Sequence, residues 1–281
     1  MVNPGPVLLW LSLAPLAAQS LEVYSEFRRV NLQGAVVAAD RGGRPREILS
    51  PAVARNAYAS FHLVVSVPQK VPFLLYVGQN PEKAVSVEVY REVYIQSGGE
   101  WIPDRLEPVT LPVRGMMPED ATSVAFWLDV WVSDHGPARR IKLEPQLNVG
   151  DRWIIYPMEV RIKQARVPPL GDRRTAQARL ADPADTAARG PLRSYLCGTP
   201  EAAAPAPLSI RRLIARNARQ DMALARSLEA KLGREKITAA MLNALEAGDR
   251  QTWCAAPVYP TGRGPEWYLR IRDFLLRAED P

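Results

Sequence analysis

At 281 residues the chain can hold one domain of ordinary size with an appendage, or two modest domains. Its net charge of +6 is balanced up to Gln164, so all the excess lies beyond it, scattered among Ala and Pro. That pattern speaks against nucleic acid and for a solvated face, or for contact with an acidic surface. Two cysteines without a Cys-x-x-Cys spacing exclude a thiol-redox motif and a zinc site built from cysteine alone.

In chain order, residues 1–20 read as a secretory signal peptide. An apolar run from Val7 to Leu16 is followed by small residues and is too short to span a bilayer. Cleavage is expected after Ala18 or Ser20, and a buried N-terminal strand is the alternative. Export to the periplasm or beyond the cell favours a disulfide between Cys197 and Cys254 over two buried thiols. No later stretch is apolar enough to be an integral membrane segment.

From 21 to 164 the pattern is β. A first strand is expected over Val23–Leu32 and a turn at Asp40–Pro45. Phe61, Leu63, Val65 and Val67 then alternate with smaller or polar residues, and Phe73, Leu75 and Val77 follow. Val85, Val87 and Val89 continue the alternation on a strand reaching Ile95. Val109, Leu111 and Val113, beside Pro108 and Pro112, read as a sheet edge, because proline donates nothing to a ladder.

The strictest alternation lies in Ser123–Ser133, which sends Val124, Phe126, Leu128, Val130 and Val132 to one face and Ala125, Trp127, Asp129 and Trp131 to the other. The second face calls for a partner, either a ligand or another part of the chain. Ile141, Leu143, Leu147 and Val149 follow, then a hairpin turn at Gly150-Asp151 and a return strand to Ile162. Short antiparallel strands with one apolar face predict an immunoglobulin- or fibronectin-like β-sandwich.

Residues 165–207, rich in Ala, Arg and Pro, read as a disordered linker. Residues 208–281 form a small helical region. Its helices are expected over Ser209–Leu232, ending at Gly233; over Glu235–Ala247; and from Pro265 onward, with Trp267, Ile271, Phe274 and Leu275 inward.

Three stretches, ARNAYASFHLVVSVP (54–68), WIPDRLEPVTLP (101–112) and VAFWLDVWVSDHGPARRIKL (124–143), resemble the N-terminal β-sandwich of secreted bacterial glycoside-hydrolase-like proteins. In that family a catalytic barrel follows the sandwich. Too few residues follow here for such a barrel, so the resemblance implies an accessory module without the catalytic residues.

Trp127 and Trp131 flanking Asp129, and Tyr90 and Tyr94 flanking Glu92, are the candidate ligand-binding residues. Rings stack on the C–H faces of sugars while carboxylates accept hydroxyl hydrogens. Burial of these rings under the tail is the competing expectation. The acid pairs Asp104/Glu107 and Asp129/Asp134, and the lone His62 and His135, show no catalytic spacing, and no metal or cofactor motif is present. The functional reading is an exported, non-catalytic module that binds a glycan or an envelope protein. A structural part of an envelope assembly and a glycan-active hydrolase with an atypical site are the alternatives.

Overall fold

The structure is a computed structural model describing residues 19–37, 40, 50–97, 99–168, 208–233, 236–237 and 265–278. The leader through residue 18, the linker beyond 168, Cys197 and Cys254, and nearly all of the expected middle helix lie outside the described residues. The elements are β1 (Ser20–Ser25), β2 (Ala52–Arg55), β3 (Ala57–Ser66), β4 (Pro72–Asn80), β5 (Ser86–Ser97), β6 (Glu100–Val109), β7 (Val113–Met116), β8 (Val124–Val132), β9 (Arg140–Val149), β10 (Arg152–Ile155), β11 (Glu159–Arg166), α1 (Ile210–Leu232) and α2 (Pro265–Ala278).

Two sheets pack face to face, so the expected β-sandwich with a small C-terminal helical region is the observed fold. The first sheet runs β1-β3-β8-β5-β6 and the second β2-β11-β9-β4-β7, with β10 alongside β9. All pairings are antiparallel except β2 with β11. The inward side chains are those that the alternation selects. Phe61, Leu63, Phe126, Leu128 and Val130 of the first sheet meet Phe73, Leu75, Leu143 and Leu147 of the second. Phe73 and Phe126 touch edge to face, 6.4 Å between centroids.

Three local expectations shift. The first strand ends at Ser25, and Glu26 to Val37 instead crosses the outer face of the first sheet. There Arg29 chelates the buried Asp40 through Nε and Nη2, at 2.9 and 3.0 Å. The return strand after Gly150 is split into β10 and β11 at Tyr156–Met158, where Pro157 has no N–H for the ladder. The proline-flanked edge is two edges. β6 closes the first sheet, and β7, beyond Pro112, closes the second.

α1 begins one residue inside the expected helix and ends before Gly233, whose φ of +79° takes the left-handed conformation that glycine adopts without strain. Its entry is tied to the first sheet: the N–H of Leu106 on β6 donates to the carbonyl of Leu208 at 3.0 Å, and Arg105 bridges Ser209. Leu224, Leu228, Ile271 and Leu275 are buried in the same cluster as the sandwich core. Among the described residues, no helix is long and apolar enough to cross a membrane.

Candidate functional site

β8 and β5 lie side by side, with Trp127 opposite Tyr90 and Asp129 opposite Glu88. Period-two geometry therefore puts all six candidate residues on the outer face of one sheet, and the first of them are sealed there. Trp127 is fully buried beneath Leu106, Ile210 and Leu213, with the His62 ring edge-on at 5.0 Å. Trp131 is half-buried and rests on Tyr58 at 4.5 Å between centroids.

Asp129, 2% exposed, accepts two hydrogen bonds from the Arg216 guanidinium of α1, at 2.8 and 2.7 Å, and one from the Ser60 hydroxyl at 2.6 Å. The fork geometry of guanidinium and carboxylate makes this the strong kind of ion pair. The same guanidinium lies 3.5 Å above the Tyr58 ring. Asn217 donates to Ser60 Oγ at 2.9 Å and to the Glu26 carboxylate, and Gln220 accepts from the Tyr58 N–H at 2.7 Å. Arg272 of α2 reaches Glu26 at 2.7 Å and Asp221 at 2.9 Å. Burial works against the Arg272 cation, but Asp221 and Glu26 more than reverse that and hold it charged. The helices thus meet the sheet through a buried polar seam flanked by apolar contacts.

Glu92, buried on β5, holds His62 Nδ1 at 2.6 Å, while Nε2 faces the Glu26 carbonyl at 3.1 Å. Burial lowers the imidazole pKa, but the charge and hydrogen bond of Glu92 and the Glu26 carbonyl outweigh it, leaving the pKa above the ordinary 6.5. Tyr94 and Tyr90 are phenols whose pKa is pushed up, chiefly by burial, with Glu92 and Glu88 respectively adding to it. Tyr90 donates to Glu88 at 2.6 Å.

A folded-state pKa above the unfolded one stabilises the fold fully below 6.5, and that contribution disappears as pH rises through the folded value. Urea unfolding at about pH 6 and about pH 9 is therefore expected to show lower stability at the higher pH, with a shallower slope in His62→Gln. An unchanged slope in that variant would mean that His62 is neutral when folded.

The other sequence candidates diverge. Asp104 is buried while Glu107 is exposed beside Arg105, at 3.7 Å. Asp134 pairs with Arg166 while Asp129 is held by Arg216 and Ser60, and His135 is exposed. Among the described residues, no three of His, Cys, Asp and Glu are grouped to hold a metal ion.

Trp101, on the edge strand β6 of the first sheet, is 47% exposed, and the opposite sheet carries an open surface with two rings. Gln146 of β9 stands between Tyr76 of β4 and Ile155 of β10, and Asn148 between Leu74 and Trp153. Tyr76 is 42% exposed, Trp153 51% and Ile155 52%, with Met116 of β7 further along the same face at 63%. By strand spacing and rise, Tyr76 and Trp153 lie roughly 12 Å apart on the diagonal. Gly78 leaves room for the Gln146 amide, since a Cβ there would sit 2.9 Å from its Nε2. The result is two rings flanking two amides on an open face.

No protein-family model and no curated protein matches the chain. Among solved structures it is similar to a family 123 glycoside hydrolase from Clostridium perfringens, with a TM-score of 0.39 and 6% identity, over 54% of this chain and 28% of that one. It is also similar to PapD-like domain 7 of human CEP192, with a TM-score of 0.25 and 6% identity, over 59% of this chain and all of that one. The chain therefore spans under a third of the hydrolase's length. Both are distant neighbours, so the chemistry of the surface rests on its own residues.

Sequence reasoning missed Tyr76, Trp153 and Ile155, although the signal was there. If Leu75, Val77 and Ile154 point inward, their neighbours Tyr76, Trp153 and Ile155 point outward. An outward Trp two residues from an outward Ile is the feature that stands out.

Proposed function

We propose that the chain is an exported, non-catalytic binding module of the periplasm or cell surface, and that it binds a glycan on the outer face of the second sheet. The observation that carries this reading is the pairing of Tyr76 and Trp153 with the Gln146 and Asn148 amides between them. Exposed rings offer stacking faces for sugar C–H surfaces; the Gln146 amide supplies donors and an acceptor for hydroxyls, and Asn148, whose Nδ2 donates to the Arg152 carbonyl at 3.3 Å, supplies its Oδ1 and its second N–H. The face of Trp127 and Asp129 does not serve, because the chain's own helices occupy it.

A protein partner is the second reading, favoured by the exposed Met116 and Ile155 beside the rings. Affinity electrophoresis of the full chain through a panel of soluble polysaccharides separates the two. Retardation by at least one polysaccharide, weakened roughly tenfold in Trp153→Ala, is the expected result. Both rings are at the surface, so their removal leaves the core intact. Unretarded migration through every gel, together with self-association that Trp153→Ala abolishes, would transfer the face to the protein reading.

A further inference from the structure

We propose that the glycan held on this face is acidic, and that its carboxylate or sulfate groups are bound in a basic cleft at the far end of β9; the inference rests on the glycan reading given above. The cleft has a volume of about 250 Å3 and is lined by Arg139, Arg140, Arg161, Lys163 and Gln164. Ala138 and Ile162 complete the lining, so four of its seven residues are cationic. Arg140 and Arg161 are direct cross-strand partners on β9 and β11.

Like charges placed opposite each other on neighbouring strands repel, so a sheet carrying such a pair is relieved by an anion between them. Glu159 supplies only a weak contact, 3.5 Å from the Arg140 guanidinium, with both groups solvated. Arg161 spends its Nε on the Ser50 carbonyl at 3.0 Å, which fixes the guanidinium plane and, among the described residues, leaves its two terminal amino groups for an oxyanion. Among the described residues, Arg139 forms no ion pair and is exposed.

The cleft and the rings share one face. The outward residues of β9 are, in order, Arg140, Lys142, Glu144, Gln146 and Asn148, with Arg140 at the cleft and Asn148 beside Trp153. At the antiparallel rise, Arg140 and Asn148 are about 27 Å apart. A single sugar does not span that distance, but an extended acidic polysaccharide does. It would stack over Tyr76 and Trp153 at one end and meet guanidinium forks at the other.

The test uses the full chain and two matched pairs of polymers: polygalacturonate with its methyl-esterified form, and dextran sulfate with dextran. Each pair keeps the backbone and removes the charge. The expected result is at least tenfold tighter binding of one charged member than of its neutral partner, narrowing as salt is raised. Arg140→Ser alone should reduce that preference. Arg140→Ser with Arg161→Ser should abolish it, while Lys70→Ser with Lys83→Ser, an equal loss of charge at exposed loop positions, should leave it in place.

Equal binding of charged and neutral members, still dependent on Trp153, overturns the inference and leaves the glycan reading standing. An equal loss in the loop pair and in the cleft pair overturns it too, as non-specific attraction. Poly-glutamate binding as tightly, with the same dependence on Arg140, assigns the cleft to an acidic protein instead. Failure of all four polymers to bind removes the inference together with the reading beneath it.

Discussion

Arg216→Ala is expected to destabilise the fold by roughly 3–5 kcal/mol, the cost of leaving a buried charge without its counter-ion. Asp129 is 2% exposed and loses both guanidinium hydrogen bonds, keeping only Ser60. The Arg216 side chain is 26% exposed, so water entering from that side should hold the loss toward the lower figure. Urea denaturation measures it directly. The double variant Asp129→Leu with Arg216→Met supplies the control, because replacing both charges with apolar groups removes the desolvation penalty. That variant should recover most of the lost stability. A single-variant loss below about 1 kcal/mol, typical of a surface pair, would show that the ion pair is solvated and that α1 is held by its apolar residues alone.

Trp127→Ala is expected to cost about 3–5 kcal/mol, the usual loss for truncating a fully buried aromatic side chain. Its indole fills the space between His62, Leu106, Ile210 and Leu213, so truncation opens a cavity lined by both the sheet and α1. Among the described residues the indole Nε1 has no hydrogen-bond partner, so Trp127→Phe loses packing but no hydrogen bond and should cost less than half as much. Denaturant midpoints for the two variants, with acrylamide quenching of native fluorescence, test this. Trp153 and Trp101 are the exposed indoles and should account for most of the quenchable signal, together with any Trp outside the described residues. If Trp127→Ala unfolds at the native midpoint, α1 does not close over that face in solution. The Trp-Asp-Trp strip would then return as a ligand surface.

These two variants concern the same feature, a sheet face that local sequence marks as needing a partner. The need was legible because Trp127, Asp129 and Trp131 alternate with a purely apolar set, and a second apolar-and-acidic face does not stay bare. The identity of the partner was not. Arg216 lies 87 positions away in the chain, and nothing in local periodicity links the two. Sequence reading therefore placed the candidate site on the face with the most aromatic residues. The helices occupy that face; of the open rings, Tyr76 and Trp153 are on the other sheet, and Trp101 is on β6 at the edge of the first.

The amino-acid sequence by itself determined most of the elements, though not β2, β6 or the split of β10 from β11. Period-two alternation named the inward residues of β3, β4, β8 and β9, because a strand sends successive side chains to opposite faces whatever lies beyond them. Gly233 marked the end of α1, and Gly150 the β9–β10 turn, because both sit at positive φ, where a side chain is strained. Only the tertiary structure decided which polar face stays open. Burial of a face depends on what packs against it, and here that is a helix from the far end of the chain, held by charges that find their partners only once the sandwich exists. The same dependence hid the basic cleft. Arg140 and Arg161 are 21 residues apart and become neighbours only through the register of β9 against β11.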